Sequence, residues 1–284
     1  MPWLLLALLL DPRPPSDLKA HVQSLIDASG AEVALVLRTL DGKDELLIDP
    51  DKPFHAASTM KVPVMIELYR QAAAGTLKLD EPLPIKNEFH SIVDGSMYQL
   101  GLGDDSDAEV YKAVGKTMTL GELCEAMITV SSNFAANLLI ERLGVENIKA
   151  TVARLGAGGM HVLRGVEDQK AFDKGLNNVT TARALAVLMQ KMGTGEAVSP
   201  KADAVMVAIL KRQKFRDAIP AGLPEGTPIA HKTGNITSIH HDAAIVYGPR
   251  PYVLVVLVRG IQDQKVSGPL MASISREIWS ELSR

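Results

Sequence analysis

The chain has 284 residues, which is enough for one large domain or two modest ones, and its 46% hydrophobic and 22% charged residues are typical of globular proteins. A formal net charge of −3 and only 4% aromatic residues provide neither the basic surface nor the stacking side chains of a nucleic-acid-binding protein. Composition therefore excludes nucleic acid as a partner. The single cysteine, Cys124, excludes an intrachain disulfide, and its apolar surroundings indicate a buried thiol rather than a nucleophile.

The N-terminus carries eight consecutive apolar residues, Trp3 to Leu10, which are too few to span a bilayer. They resemble the hydrophobic part of a secretory signal, although no basic residue precedes them and no small-residue cleavage site follows. We interpret residues 1–13 as a degraded signal segment and expect a periplasmic or secreted protein whose mature domain begins near Pro14. No membrane span is predicted.

The domain itself opens with a helix and a hairpin. Residues 16–30 have an amphipathic helical pattern, and the turn sequence Asp-Gly-Lys at 41–43 lies between two strand-like runs. Residues 242–248 and 252–260 are strand-like, and a helical pattern ends the chain. Between about 56 and 195 the spacing of apolar residues predicts helices in "TLGELCEAMI", "SNFAANLLIERLG", "ENIKATVARLG" and "TTARALAVLMQKM".

This order of elements favours an α/β (α+β) fold, in which the two ends of the chain share one antiparallel sheet flanked by the terminal helices. We predict a sheet subdomain from residues 14–55 and 200–284. Residues 56–199 are predicted to form an inserted all-helical subdomain, with the active site between the two.

The stretch "FHAASTMKVPVMIELY" contains Ser58 and, three residues later, Lys61. A serine before a helical pattern is often only a helix cap. The same spacing recurs at Ser16 and Lys19 in a predicted solvated helix, so the pattern alone is weak.

Ser58 and Lys61 nevertheless have the chemistry of a nucleophile and its base. A helix N-terminus favours developing negative charge, and residues three apart lie on one helix face. Serine needs a neighbouring base, and lysine serves as one when apolar surroundings lower its pKa.

Two further clusters follow along the chain. The first, between two apolar helical runs, is Ser131-Ser132-Asn133. The second, beside a predicted strand, is Lys232-Thr233-Gly234. Each alone is consistent with an ordinary cap or turn, but Ser-x-x-Lys, Ser-x-Asn and Lys-Thr-Gly in this order are the motifs of class A β-lactamases and penicillin-binding proteins. The chain resembles this family over roughly residues 16–284.

The resemblance implies a role for each motif. Ser58 would be the acylating nucleophile, Lys61 the acceptor or relay of its proton, and Ser131 the donor to the departing ring nitrogen. The implied substrate-binding residues are Asn133, Lys232, Thr233, Gly234 and Asn235. Asn133 would hold the substrate's side-chain amide, Lys232 and Thr233 its carboxylate, and the backbone N–H groups of Ser58 and Asn235 would form the oxyanion hole.

The chain departs from the family pattern in two places. Ser132 replaces the aspartate of the middle motif and is expected to point away from the substrate. The loop that should carry a deacylating glutamate three residues before Leu176-Asn177 has Asp173 there. Three carboxylates compete for the role, and we favour the first: Glu167, Asp168 and Asp173.

No metal or cofactor is predicted, because the sequence has no His-Glu-x-x-His and no carboxylate–histidine cluster. His231 is expected to pack beside the Lys-Thr-Gly strand, and His240 or His241 to line the cleft. Asp242 is expected to be structural.

We therefore predict a monomeric serine β-lactamase of class A type, which hydrolyses penicillins and cephalosporins through a Ser58 acyl-enzyme. The alternative is a penicillin-binding-like D-Ala-D-Ala peptidase or esterase with slow or no β-lactam turnover. A non-catalytic binder is disfavoured because all three motifs are present.

Overall fold

The structure is a computed structural model that describes residues 15–284, except for the side chains of residues 15–17 and 104. The predicted signal segment, residues 1–13, lies outside the described residues. Within the described range, no helix has the length and apolarity needed to cross a membrane.

The regular elements of residues 15–284 are nine α-helices and eleven strands. The helices are α1 (Pro15–Ser29), α2 (Lys61–Ala73), α3 (Leu120–Thr129), α4 (Asn133–Leu143), α5 (Val145–Arg154), α6 (Gln169–Asp173), α7 (Ala182–Gly193), α8 (Pro200–Leu210) and α9 (Gln264–Leu282). The strands are β1 (Glu32–Thr39), β2 (Glu45–Ile48), β3 (Phe54–His55), β4 (Pro82–Pro84), β5 (Phe89–His90), β6 (Met97–Tyr98), β7 (Thr117–Thr119), β8 (Val179–Thr180), β9 (Ile229–Ile236), β10 (Ile239–Val246) and β11 (Tyr252–Arg259).

One antiparallel five-stranded sheet, in the order β2-β1-β11-β10-β9, joins the two ends of the chain. β1 pairs with β11 along its whole length, from Glu32 opposite Arg259 to Thr39 opposite Tyr252. The predicted β1–β2 hairpin and the two late strands are thereby confirmed. β9, which carries the Lys-Thr-Gly motif, is an edge strand of this sheet, and its last two residues, Asn235 and Ile236, are exposed.

Apolar side chains cover both faces of this sheet. One face packs against α1 and α9 in a core that includes Val22, Leu35, Val256 and Ile274. The other face packs against α7 and the larger core of the helical block. The sheet is therefore buried on both sides, which explains why its central strands are continuous apolar runs.

Helix α2 is the centre of the helical block and is in contact with α3, α4, α5 and α8. Nearly all of its residues are buried, including the polar side chains of Lys61, Glu67 and Gln71, as expected of a helix that has neighbours on every side. The predicted helices of this block form as α3, α4, α5 and α7. The short pairs β3–β8, β4–β7 and β5–β6 were not predicted, because two or three residues are too few to show an alternating pattern. The division into subdomains at residues 56 and 199 stays a prediction.

Candidate active site

Ser58 lies in a single 3₁₀ turn, residues 57–60, that leads directly into α2. The N-cap residue of α2 is Met60 and that of the 3₁₀ turn is Ala56, and neither makes a side-chain capping bond. The interpretation of Ser58 as a helix cap is therefore wrong. Its half-buried side chain instead lines the main cleft.

That cleft consists of two cavities of about 400 and 520 Å³. Both are lined by Ser58, Asn133 and Asn235, so they are the two ends of one groove. The loop after Arg164 borders the first end, and Ser131, Thr233 and His240 border the second. The structure thus brings all three predicted motifs to one cleft.

Lys61 is fully buried, and its amine is held by the middle motif. Its Nζ donates to Ser131 O at 2.6 Å and Asn133 Oδ1 at 2.7 Å, with Ser131 Oγ at 3.4 Å. Burial lowers the pKa of Lys61 to about 7, although the negative charges of Asp105 and Glu167 oppose this shift. The amine can therefore accept a proton near neutral pH.

Lys232 is also fully buried and reaches the same serine. Its Nζ donates to Ser131 Oγ at 3.0 Å and to Thr233 O at 2.8 Å. Burial and, secondly, the positive charge of Lys61 hold the pKa of Lys232 well below its usual value, against the opposing effect of Asp242. The Ser131 hydroxyl lies between two amines that disfavour being charged together.

Residues 131–133 form a corner between α3 and α4, and the start of α4 fixes its conformation. Ser131 has φ +60°, a left-handed conformation that is uncommon for a residue other than glycine. Ser132 is buried, and its Oγ caps α4 by accepting from Ala135 N at 3.2 Å. The cap interpretation thus holds for Ser132, while its neighbours on either side face the cleft.

Asp105 is a site residue that the sequence did not reveal. Its carboxylate accepts from Asn133 N at 2.9 Å, Phe134 N at 2.8 Å and Ser132 Oγ at 3.2 Å. It lies in "GDDSDAE", where an acidic residue looks like an ordinary solvated loop charge. The only hint in the sequence was Ser132, an uncharged residue at the position where the family motif has an aspartate.

Gly234 lets β9 approach the turn that carries Ser58. A Cβ atom at this position would lie 3.2 Å from Ser58 N and 3.1 Å from Thr59 N. Contacts this short are tighter than nearly all real Cβ contacts, so a larger residue would push β9 and the turn apart and glycine favours their close approach. It brings the backbone before Asn235 beside the Ser58 N–H group.

Arg164 and two asparagines close the loop on the other side of the cleft. The buried guanidinium donates to Leu176 O at 2.8 Å and Asn177 Oδ1 at 3.1 Å. Asn178 Oδ1 accepts from Leu163 N at 2.8 Å and Arg164 N at 3.2 Å. Leu176-Asn177 therefore anchors Arg164.

The three competing carboxylates of this loop have different surroundings. Glu167 lines the cleft with Ser58, and its Oε1 accepts from Asn133 Nδ2 at 3.2 Å. Asp173 is exposed and accepts from Gln169 Nε2 at 2.6 Å.

Asp168 is buried and has a structural set of contacts. Its Oδ1 accepts from Ser91 Oγ at 2.8 Å and from Ala171 N at 3.1 Å, which caps α6. Its Oδ2 accepts from Ile92 N at 2.9 Å. Although Asp168 touches the cleft, both of its oxygens hold the loop in place.

The adjacent histidines of β10 face opposite sides of the sheet. His240 lines the cleft and lies 2.8 Å from Ser267 Oγ through its Nδ1. His241 is buried beneath β3, with its Nε2 3.0 Å from His55 O, and burial lowers its pKa to about 4. Of the two residues predicted as candidates, His240 is the one in the cleft.

His231 and Asp242 form a buried pair on the α9 side of the sheet, with Nδ1 and Oδ1 3.0 Å apart. Asp242 also accepts from Ile219 N at 3.2 Å, as expected of a structural residue. Across residues 15–284, no group of three or more histidine, cysteine or acidic side chains is arranged to hold a metal ion.

A sequence profile of the β-lactamase enzyme family matches residues 17–282. The chain belongs to the β-lactamase enzyme family. Among curated relatives, a β-lactamase of Bacillus licheniformis is 30% identical over 61% of this chain and 58% of its own length, and so is aligned over less than two thirds of that relative. A β-lactamase of Citrobacter koseri is 26% identical over 94% of this chain and 89% of its own length.

Solved structures confirm the predicted fold of this β-lactamase family member. PBP-A is 28% identical, with a TM-score of 0.80 over 95% of this chain and 97% of its own. A mutant of PBP-A was solved as an acyl-enzyme complex with penicillin G. An ancestral class A β-lactamase is 26% identical, with a TM-score of 0.79 over 92% of this chain and 98% of its own. The predicted family is confirmed, and these likenesses support a hydrolase of the serine β-lactamase type.

Proposed function

We propose that this protein is a class A-type serine β-lactamase that opens the ring of penicillins and cephalosporins through an acyl-enzyme at Ser58. The observation that carries the proposal is the buried Lys61 amine, three residues after Ser58, with a pKa of about 7. It is hydrogen-bonded to Ser131 and Asn133, which line the same cleft as Ser58.

Acylation begins when Ser58 Oγ attacks the lactam carbonyl carbon and Lys61 takes the hydroxyl proton. The ring C–N bond then breaks, and the nitrogen takes a proton from Ser131 Oγ. Ser131 regains a proton from Lys61 or Lys232, both of which contact it. The Ser58 and Asn235 N–H groups stabilise the oxyanion, and loss of one such donor typically costs about 100- to 1000-fold in rate.

The substrate binds at both ends of the cleft. Lys232 and Thr233 receive the substrate carboxylate, and its negative charge favours the protonated form of Lys232. Asn133 binds the substrate's side-chain amide, and Gly234 permits the strand to lie alongside it.

Deacylation uses Glu167 as the general base. It removes a proton from a water molecule, the water oxygen attacks the ester carbon, and the C–O bond breaks as Ser58 recovers its proton. The support is positional: Glu167 faces Ser58 and Asn133, whereas Asp168 caps α6 and Asp173 is in solvent.

The second candidate function is a penicillin-binding-like D-Ala-D-Ala peptidase or esterase on the same scaffold. It is favoured by the likeness to PBP-A and by the conformation of Glu167, whose φ of +61° costs about 1–2 kcal/mol. If relief of that strain moves the carboxylate, the acyl-enzyme persists and β-lactams act as inhibitors.

Turnover and intact mass measured with a chromogenic cephalosporin test these functions. We expect sustained hydrolysis that Ser58→Ala abolishes, with Ser24→Ala on the exposed side of α1 as the matched control. A stable one-to-one adduct without turnover supports the peptidase or esterase, and neither adduct nor hydrolysis refutes acylation altogether.

We also propose that the enzyme is exported to the periplasm or outside the cell, on the support of the signal-like residues 1–13, and that it acts there as a monomer. Cell fractionation and size-exclusion chromatography test this. Activity confined to the cytoplasm would contradict it.

A further inference from the structure

Asp105 is held by four hydrogen bonds, although it lies on a loop remote in sequence from the site motifs. Oδ1 accepts from Asn133 N at 2.9 Å and from Asp107 N at 3.2 Å. Oδ2 accepts from Phe134 N at 2.8 Å and from Ser132 Oγ at 3.2 Å. The half-buried carboxylate therefore has bonds on both oxygens.

These bonds satisfy the start of α4 from outside the helix. Asn133 and Phe134 carry the first backbone N–H groups of α4, which have no partner within the helix. Ser132 caps only Ala135 N, so Asp105 supplies the other acceptors. A carboxylate at a helix N-terminus is also favoured by the helix dipole.

The same corner binds Lys61 on its inner side. Ser131 O and Asn133 Oδ1 accept the two short bonds from Lys61 Nζ. Ser131 holds a left-handed conformation, so its carbonyl keeps this direction only while the surrounding contacts fix the corner. Asp105 makes those contacts at Ser132 and Asn133.

We propose that Asp105 is a positioning residue for acylation: its carboxylate fixes the Ser131–Asn133 corner so that the corner holds the Lys61 amine in its working place. Asp105 thereby supplies, from another loop, the negative charge that Ser132 does not bring to the middle motif. This inference rests on the proposed function of Ser58 and Lys61.

Asp105 also acts on Lys61 through its charge. The charged groups that act on the Lys61 amine are Asp105 and Glu167, which favour its protonated form, and the neighbouring Lys232, which disfavours it. Removal of the Asp105 charge lowers the pKa of Lys61. Since the neutral amine is the base, the acid limb of the acylation pH profile, where the rate constant falls as the pH is lowered, then moves to lower pH.

The test compares Asp105→Ala and Asp105→Asn with Asp107→Asn. Asp107 lies on the same loop, and its Oδ1 accepts from Glu109 N. Asp107→Asn therefore removes one negative charge, as Asp105→Asn does, but changes no contact to α4. The acylation rate constant is measured per active site by rapid quench and intact mass, across the pH range that spans the pKa of Lys61.

We expect Asp105→Ala to lower the rate constant roughly 100-fold, the effect of small displacements of reacting groups. Asp105→Asn, which keeps one acceptor, is expected to lower it about tenfold and to shift the acid limb to lower pH. Asp107→Asn should match the parent in both respects. The inference would be overturned if the Asp105 variants acylate with the rate constant and the pH dependence of the parent. It would also be overturned if the variants differ from the parent only in the fraction of protein that is active.

A second measurement separates this inference from the proposed function. If the parent forms no adduct, the proposed function fails, and NMR titration of the Lys61 amine still reports on Asp105. A lower Lys61 pKa in Asp105→Asn but not in Asp107→Asn supports the specific action of Asp105 on Lys61 that the inference requires, and equal values in all three proteins contradict it.

Discussion

Lys61 Nζ lies 2.7 Å from Asn133 Oδ1, and this contact fixes the orientation of the Asn133 amide. Because Lys61 donates here and the Glu167 carboxylate can only accept, the amide oxygen faces Lys61 and the NH₂ group faces Glu167. That NH₂ group donates to Glu167 Oε1 at 3.2 Å. One side chain thus connects the base proposed for acylation with the base proposed for deacylation.

The Asn133 contact predicts how Asn133→Asp changes the enzyme. The new carboxylate beside Lys61 favours the charged amine, so the pKa of Lys61 rises from about 7. Each unit of rise slows acylation about tenfold below that pKa. A pH profile of the acylation rate checks this, and an acid limb that stays in place or moves to lower pH would contradict it.

The parent enzyme should show the corresponding pH dependence without any substitution. Because burial holds the pKa of Lys61 near 7, the neutral base is scarce below that pH and dominant above it. The acylation rate constant is therefore expected to rise through about pH 7 and level off above it. Pre-steady-state kinetics at a series of pH values measures the limb, and a rate that is flat across this range would rule out Lys61 as the titrating base.

Glu167→Gln is expected to separate the two half-reactions. The amide keeps a polar group near Asn133 but accepts no proton, and a lost general base typically costs about 100- to 10,000-fold. Acyl-enzyme should accumulate and be visible by intact mass. Asp173→Asn, an exposed charge on the same loop, serves as the control. If Glu167→Gln releases product as fast as the parent, another group is the base.

Gly234→Ala tests the close approach of β9 to Ser58. The added methyl group would meet Ser58 N at 3.2 Å and Thr59 N at 3.1 Å, so we expect the strand and the turn to separate slightly and the oxyanion site to widen. We expect roughly a 100-fold slower acylation, as for a lost oxyanion donor. Gly158→Ala, where a Cβ meets nothing within 4 Å, is the matched control. Equal acylation rates in the two variants would show that the approach is not functional.

Asn178→Ala is expected to loosen the loop that carries Glu167. The substitution leaves Leu163 N and Arg164 N without their acceptor and Arg164 O without its donor. Unsatisfied buried groups of this kind cost about 1–3 kcal/mol each. Deacylation should slow more than acylation, and the free energy of unfolding should fall. Equal slowing of both steps would indicate damage beyond the loop.

The sequence predicted the elements and residues whose signals are local. The Asp-Gly-Lys turn specifies its hairpin, and the three motifs meet in one cleft as their order implied. Asp105 could not be found this way, because its partners lie 28 and 29 residues away and its own neighbourhood is only an acidic loop. Likewise, Asp168 makes tertiary contacts with Ser91 and Ile92 that set it apart from Glu167, and these contacts have no local signal in the sequence.

In the proposed mechanism, Ser58 carries the acyl group during turnover. Rapid quench with a cephalosporin, followed by proteolysis and mass mapping of the labelled peptide, tests this claim most directly. We predict an adduct on Ser58 that forms before product appears, reaches a steady level during hydrolysis and decays when substrate is exhausted. An adduct on any other residue, or hydrolysis with Ser58 unmodified at every time, would contradict the account.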